Sequence, residues 1–427
     1  MLRRRRLAVR GTVQGVGFRP WVYRHAVALG LAGFVVNGRD GVIIEVEGAD
    51  TALDAFESEL GADPPPLASI TAIETVVLEP TGENGFTIGE TDQGDGPAVA
   101  VPADVATCEA CLAELRDPSD RRYRYPFINC TACGPRYTII RGVPYDRAVT
   151  TMEGFPLCDE CGREYRDPAD RRFHAEPVAC PACGPRLTYR RPDGQAIAEG
   201  EQALEAAIVA LCEGRIIAVK GVGGYHLATD ATNAAAVAEL RRRKVRDDKP
   251  FAVLVARIAD LHGIVVLDGD AEAELASPRR PIVVAPVRSD TGIATGIAPG
   301  LAEIGVMLPY SPLHTLLAEG AGRALVMTSG NRSDEPIAHE DDDAVARLGP
   351  LVDALLTHDR PIHIRCDDSV IRASAGTVTA VRRSRGYAPQ PYPLPVPGRP
   401  LLAVGAQLKN TIAVAQGGSV VASHHIG

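Results

Sequence analysis

The chain has 427 residues, 45% of them hydrophobic and 23% charged, with a formal charge of −9. That length suits about three domains of roughly 100–200 residues each, and the balance is that of ordinary globular protein. Broad nucleic-acid binding is disfavoured by the negative charge, and no run approaches the roughly 18 apolar residues of a membrane helix, so neither nucleic acid nor membrane is expected as a partner.

The opening MLRRRRLAVRG has a basic start, but Arg10 interrupts the apolar stretch and no small-residue cleavage site follows. A cytoplasmic location is therefore expected. Residues 7–13 read as a strand, 14–18 as a glycine-rich turn, and about 20–29 as a helix whose first turn accommodates Pro20. FVVNGRDGVIIEVEG reads as a hairpin turning at 37–41. A helix at about 50–60 and strands near 70–78 and 85–88 complete a β-α-β-β-α-β order, the ferredoxin-like layout.

The chemistry of this first segment lies in Gln14-Gly15-Val16-Gly17-Phe18-Arg19. Glycines let successive N–H groups turn toward an anion, the following helix start adds positive potential, and Arg19 supplies a charged fork. A hairpin asparagine alone needs no function, because Asn-Gly is a routine turn. The string RGTVQGVGFRPWVYRHA, with Asn37 18 residues after Arg19, resembles acylphosphatase. The resemblance implies that Arg19 binds the phosphoryl group and Asn37 positions the attacking water. Residues 91–103 are turn-rich and read as a linker.

Residues 104–190 carry one cysteine pattern written twice: Cys108, Cys111, Cys130 and Cys133, then Cys158, Cys161, Cys180 and Cys183, each 50 residues on. RDPSDRRYRY is answered by RDPADRRFHA, and CTACGPR by CPACGPR. Paired CxxC turns supply four soft thiolates, which suits tetrahedral zinc. A disulfide framework is the competing reading, but it belongs to small secreted domains. Two structural zinc ions are expected, closed to water. Pairing in sequence within each repeat is the simplest assignment, and a crossed pairing stays open. His174 has Arg124 at its position in the first repeat and is not expected to be a ligand. Arg136 and Arg186 either offset the thiolate charge or are solvated surface arginines.

Residues 198–388 begin with the helical ALEAAIVALCEG, the buried strand RIIAVKG, a glycine turn at 221–224, the helix NAAAVAELRRRK, a basic cluster at 244–249 and the strand FAVLVA. A basic cluster between a glycine turn and a strand favours anion binding over a merely solvated face. There is no Walker lysine motif. KGVGGYHLATDATN, LRRRKVRDDKPFAVLV, GVMLPYSPLHTLL, LVMTSGNRSDEPI and IRCDDSVIR resemble YrdC-like domains, in the version found in the HypF family of hydrogenase-maturation carbamoyltransferases. The acylphosphatase-like and double-zinc segments precede it in the same order in that family. The implied fold is multidomain α+β: a ferredoxin-like acylphosphatase domain, a double four-cysteine zinc module and a YrdC-like twisted α/β sheet holding ATP and carbamate. By resemblance the ATP and carbamate ligands are Lys220, Lys244, Arg246, Lys249, Ser329, Gly330, Asn331 and Arg385. Asp367 and Asp368 suit either magnesium or bracing of Arg365 or Arg372, and the sequence favours neither. Cys212 reads as core on an apolar helix face. Cys366 has no catalytic partner beside it.

Residues 389–400 are a proline-rich linker, and 401–427 resemble the opening of the Kae1-like domain that ends HypF proteins, cut off after about one hairpin. That hairpin is expected to dock loosely, having no sheet to join. His424 and His425, adjacent on a strand, are not placed to chelate together. The resemblance implies a relay: carbamoyl phosphate is hydrolysed to carbamate, carbamate is joined to AMP from ATP with magnesium, and the carbamoyl group passes to the C-terminal cysteine of HypE, with that last step lost here. Two other readings remain, a tRNA-modifying carbamoyl-adenylate synthase and a non-catalytic zinc scaffold that binds RNA.

Overall fold

A computed structural model describes all residues except 1, 39, 63, 66, 90–100, 334, 375, 397, 406–409 and 427. Most of the expected linker, 91–100, thus lies outside the described residues. The chain divides into two compact units, one of residues 1–102, 129–132 and 140–178, the other of 103–128, 133–139 and 179–427.

The first unit is built on β1 (Leu2–Thr12), α1 (Phe18–Ala28), β2 (Ala32–Gly38), β3 (Gly41–Ala49), α2 (Asp50–Ala62), β4 (Ser69–Leu78) and β5 (Phe86–Ile88). The strand order is β4-β1-β3-β2-β5, so the two βαβ halves interleave as the ferredoxin-like pattern requires. Alternation along β1 and β3 turns Leu7, Val9, Ile44 and Val46 inward. Leu53, Phe56 and Leu60, three and four residues apart, form the buried stripe of α2. Phe18, Trp21, Val22 and Ala26 do the same for α1. Each buried leucine, valine or phenylalanine among them contributes about 1.5–3 kcal/mol, so these two stripes hold the helices to the sheet.

In the cysteine-rich segment, α3 (Glu109–Arg116) and α4 (Asp159–Arg166) stand 50 residues apart. Arg124 and His174, also 50 apart, both have positive φ and both donate their N–H to the last turn of the preceding helix, at Leu115 and Tyr165. The written repeat is therefore a folded repeat.

The second unit carries an eleven-stranded mixed sheet. Its elements are β6 (Leu187–Arg190), β7 (Ala196–Glu199), α5 (Gly200–Cys212), β8 (Ile217–Lys220), β9 (Tyr225–Asp230), α6 (Ala234–Lys244), β10 (Ala252–Leu254), β11 (Ile282–Pro286), β12 (Glu303–Met307), β13 (Leu325–Ser329), β14 (Ala354–His358), β15 (Val370–Ser374) and β16 (Thr377–Arg382). The order is β16-β15-β11-β12-β10-β13-β9-β8-β14-β6-β7. β8, β9 and β14 are buried along their whole length, as strands covered on both faces must be. Asn233 caps α6 by accepting from Ala235 and Ala236 N–H, and Val245 ends it in the left-handed region.

Two expectations change here. Cys212 is exposed, because α5 buries Ala203, Leu204, Ala207, Ala210 and Leu211, and the next residue turns about 100° off that stripe. The C-terminal hairpin does join a sheet: β17 (Tyr392–Pro393), β18 (Leu401–Gly405), β19 (Thr411–Gln416) and β20 (Ser419–Ala422) pair in the order β17-β20-β19-β18. Arg383 donates to the Ala422 carbonyl and Arg365 to that of Ile426. The preceding proline-rich stretch supplies the strand, so the linker becomes part of the sheet. Leu401, Leu402 and Val404 remain exposed on it.

Candidate functional site

The turn after β1 places Gly15 and Gly17 at φ +66° and +76°, a left-handed conformation that side-chain-bearing residues rarely adopt. Alternation of this kind makes a concave nest of N–H groups. Gln14 locks the nest to the β2–β3 turn: its Nε2 donates to the carbonyls of Gly38 and Gly41 at 2.6 and 2.8 Å. Asn37, at the end of β2, sits beside the first of these. Its side chain is buried, and among the described residues neither amide atom has a hydrogen-bond partner. An unpaired buried amide costs about 1–3 kcal/mol, so this position is kept ready for a polar guest.

Arg19, in the first turn of α1, is 8% exposed. Its Nη2 donates to Glu176 Oε1 at 3.2 Å and to Asp146 Oδ1 at 3.3 Å. Glu176 is buried and also accepts from Tyr165 Oη at 2.8 Å and the Arg147 N–H at 3.0 Å. Burial lifts its carboxyl to about 7, with Arg19 pulling the other way. Burial, and then the charge of Arg19, lower His174 to about 4. No sequence motif pointed to Glu176.

The cysteines group as Cys108, Cys111, Cys130 and Cys133, and as Cys158, Cys161, Cys180 and Cys183, with the ligand atoms of each group within 4.8 Å of one another. This is pairing in sequence, not crossed. Cys111 and Cys133 sulfurs are 3.5 Å apart and those of Cys180 and Cys183 3.7 Å apart. A disulfide needs about 2.05 Å, whereas four thiolates at about 2.3 Å from a tetrahedral ion lie about 3.8 Å apart. The donor sets fit two zinc ions. His174 is in neither set.

In the second unit a cavity of about 270 Å³ opens over β9, β10 and β13. Arg246, Lys249 and Ser329 line it. Lys244 does not. Its ammonium is fully buried and donates to Ser329 O, Asn331 O and Asn331 Oδ1 at 2.5, 2.6 and 2.7 Å. Burial, reinforced by Arg246 and Lys249, lowers its pKa well below the lysine range. The 329–331 loop is thus shaped from behind by Lys244. Ser329 Oγ also donates to Asn331 Oδ1 at 2.8 Å, and the Gly330 N–H donates to Tyr225 O at 2.6 Å.

Arg246 is held by the carbonyls of Lys249 and Pro250 and lies over the Phe251 ring, and burial brings it down to about 10. Lys220 and Arg385 line a separate small cavity instead. Lys220 pairs with Asp341 at 2.5 Å and donates to His358 O. Arg385 is buried, bonded to Asp368 at 2.7 Å and stacked on Tyr310. Asp368 also meets His226 at 2.8 Å; burial pushes its carboxyl up, but Arg385 and His226 hold it well below the usual range. Asp368 therefore braces Arg385 and His226, not Arg365 or Arg372. The sequence did not signal His226, Thr328 and Arg382, nor the apolar wall of Phe251, Ile282 and Met327, all of which line the larger cavity. Cys366 is buried against Ser384, and burial pushes its thiol up.

Three family models match along the chain in order: Acylphosphatase over residues 5–88, HypF finger over 107–140 and 157–189, and a Sua5/YciO/YrdC model described as Telomere recombination over 209–384. The Carbamoyltransferase HypF2 of Cupriavidus necator is 48% identical over 442 residues, which is 99% of this chain and 55% of that protein. A crystal structure of full-length HypF in the phosphate- and nucleotide-bound form matches with a TM-score of 0.95 at 45% identity, covering 100% of this chain and 56% of that one.

The chain belongs to the HypF family. It spans about half the length of the HypF proteins it matches. Its first segment is also 43% identical to the acylphosphatase of Thermotoga petrophila over 84 residues, 19% of this chain and 92% of that protein. The chain thus combines the acylphosphatase, HypF-finger and YrdC-like folds of the HypF family. Among the described residues no helix is long and apolar enough to cross a membrane.

Proposed function

We propose that this chain performs the first two steps of a carbamoyl transfer in hydrogenase maturation, using modules at 1–90, 104–190 and 198–388. At the first site Arg19 and the nest of residues 14–18 hold the phosphoryl group of carbamoyl phosphate, and Asn37 orients a water. The water oxygen bonds to phosphorus, the bond from phosphorus to the acyl oxygen breaks, and carbamate and phosphate leave. The single observation that carries this reading is Asn37, a buried amide with both polar atoms unpaired among the described residues, one residue from the carbonyl that ties it to the glycine cradle.

At the second site carbamate attacks the α-phosphorus of ATP, forming carbamoyl-AMP and releasing pyrophosphate. Such transfers depend mainly on positioning and charge neutralisation. Arg246 and Lys249 meet the phosphates, Ser329 hydrogen-bonds carbamate or nucleotide, and Asp367 meets the magnesium that accompanies ATP. Asn331, whose amide is taken up by Lys244, Ser329 and Glu335, shapes the loop and does not reach the ligand. Gly330 lets the loop approach closely: a Cβ there would lie 2.7 Å from Tyr225. Lys244 and Arg385 support these groups, and Lys220 acts from the adjoining cavity. The phosphate- and nucleotide-bound state of the matched HypF structure supports both halves of the reading.

The two zinc ions are structural, each closed by four thiolates. The acceptor of the carbamoyl group is the C-terminal cysteine of HypE, and the compartment is the cytoplasm. Carbamoyl phosphate alone should yield phosphate with the native chain and almost none with Arg19→Ala or Asn37→Ala. Equal phosphate release by all three would remove the first step from this site.

A further inference from the structure

Within the first unit, Arg19 is not left to orient itself. A buried carboxylate reaches it from 157 residues further along the chain. Glu176 is itself gripped on its other oxygen by Tyr165 Oη and the Arg147 N–H. Asp146 meets the same Nη2. Among the described residues the Nε and Nη1 edges of the Arg19 fork make no hydrogen bond. One corner of the guanidinium is therefore pinned while the remaining donors stay available for a bidentate anion. Tyr145, next to Asp146, donates its N–H to Gln14 Oε1, so the same stretch also grips the cradle loop.

The acylphosphatase of Thermotoga petrophila aligns over 84 residues that make up 92% of its length, which leaves no room for a counterpart of residues 140–178. Here the carboxylates that meet the arginine come from residues 146 and 176, in the cysteine-rich segment. We propose that Glu176 is a positioning residue for the acyl-phosphate site, fixing the Arg19 fork so that its open edge faces the phosphoryl group, and that the zinc-finger segment thereby takes part in the first reaction step.

This rests on the acyl-phosphate reading of the cradle, so the experiment separates the two. Native chain, Arg19→Ala, Glu176→Gln and Tyr165→Phe are compared at pH 8.5, where Glu176 is ionised, for acetyl phosphate hydrolysis and for inhibition by inorganic phosphate. Glu176→Gln keeps the shape but has one acceptor oxygen in place of two: with that oxygen on Tyr165 and Arg147, its NH2 faces Arg19 Nη2 and cannot accept from it. It should raise KM, and the inhibition constant for phosphate in parallel, by about tenfold, with kcat within about twofold; a lost charge-assisted hydrogen bond is worth at least that. Tyr165→Phe should raise both constants in the same sense, and it decides the matter if Glu176→Gln does not fold. A change in kcat alone would indicate loss of active protein and overturn the proposal, as would unchanged constants. A fall in KM would mean that Glu176 competes with the phosphoryl group, and also overturns it. An active Arg19→Ala variant, or an inactive native chain, would defeat the acyl-phosphate reading itself and the positioning role with it.

Discussion

Glu176 also makes a prediction about stability that needs no substrate. Its carboxyl is fully enclosed, and burial lifts it from an ordinary 4.5 to about 7 in the folded chain. As pH rises from about 4.5, the unfolded chain ionises this group while the folded chain keeps its proton. Stability attributable to Glu176 is therefore fully present below 4.5 and declines until the folded group ionises near 7. The gap corresponds to about 3 kcal/mol, at about 1.4 kcal/mol per pH unit. Glu176→Gln cannot ionise and should abolish that decline. Trp21 is the chain's single tryptophan and is buried in the same unit, so its fluorescence reports unfolding where the substitution acts. Urea titrations at intervals from pH 4.5 to 8 should show the difference in stability between native and variant shifting toward the variant by about 3 kcal/mol across the window, then staying level. A difference that does not change with pH would refute the argument, because it would mean that the carboxyl ionises as if in water.

Lys244→Met removes three short hydrogen bonds that hold Ser329 and Asn331. Because desolvation of the ammonium offsets part of their strength, the net loss should be about 2–4 kcal/mol, read as faster hydrogen exchange at Gly330 and Asn331 together with lost pyrophosphate formation. Normal exchange with lost activity would instead place Lys244 against the nucleotide. Stripping zinc with a chelator should melt the cysteine-rich segment and, because Glu176 lies between Cys161 and Cys180, raise KM for acetyl phosphate in step with zinc release. Loss of zinc with an unchanged KM would contradict that link.

Much of this architecture is legible in the sequence because its signals are local. The alternation of β1 and β3, the i, i+3, i+7 stripe of α2 and the left-handed glycines of the cradle each lie within a few residues of one another. The CxxC repeats announce their ligands by spacing alone. What was not legible depends on distant pairing. Lys244 belongs to a basic run that reads as a phosphate site, yet it turns inward because the carbonyls of residues 329 and 331 await it 85 and more residues away. Arg385 likewise finds Asp368 and the carbonyls of Arg279 and Arg280. Cys212 belongs to an apolar helix, but it falls one residue past Leu211 and so just off the buried stripe, a margin that the composition of the helix does not reveal. Glu176 carried no local signal, and its role emerges only from a buried contact with Arg19.

The central claim is that one chain converts carbamoyl phosphate and ATP into an adenylated carbamoyl group. The most direct measurement is to incubate the zinc-loaded chain with both substrates and magnesium, then follow phosphate, pyrophosphate and carbamoyl-AMP together. The account predicts that all three form, that pyrophosphate depends on carbamoyl phosphate, and that Arg19→Ala suppresses all of them, with supplied carbamate restoring pyrophosphate and carbamoyl-AMP but not phosphate. Phosphate release without pyrophosphate or carbamoyl-AMP would contradict it.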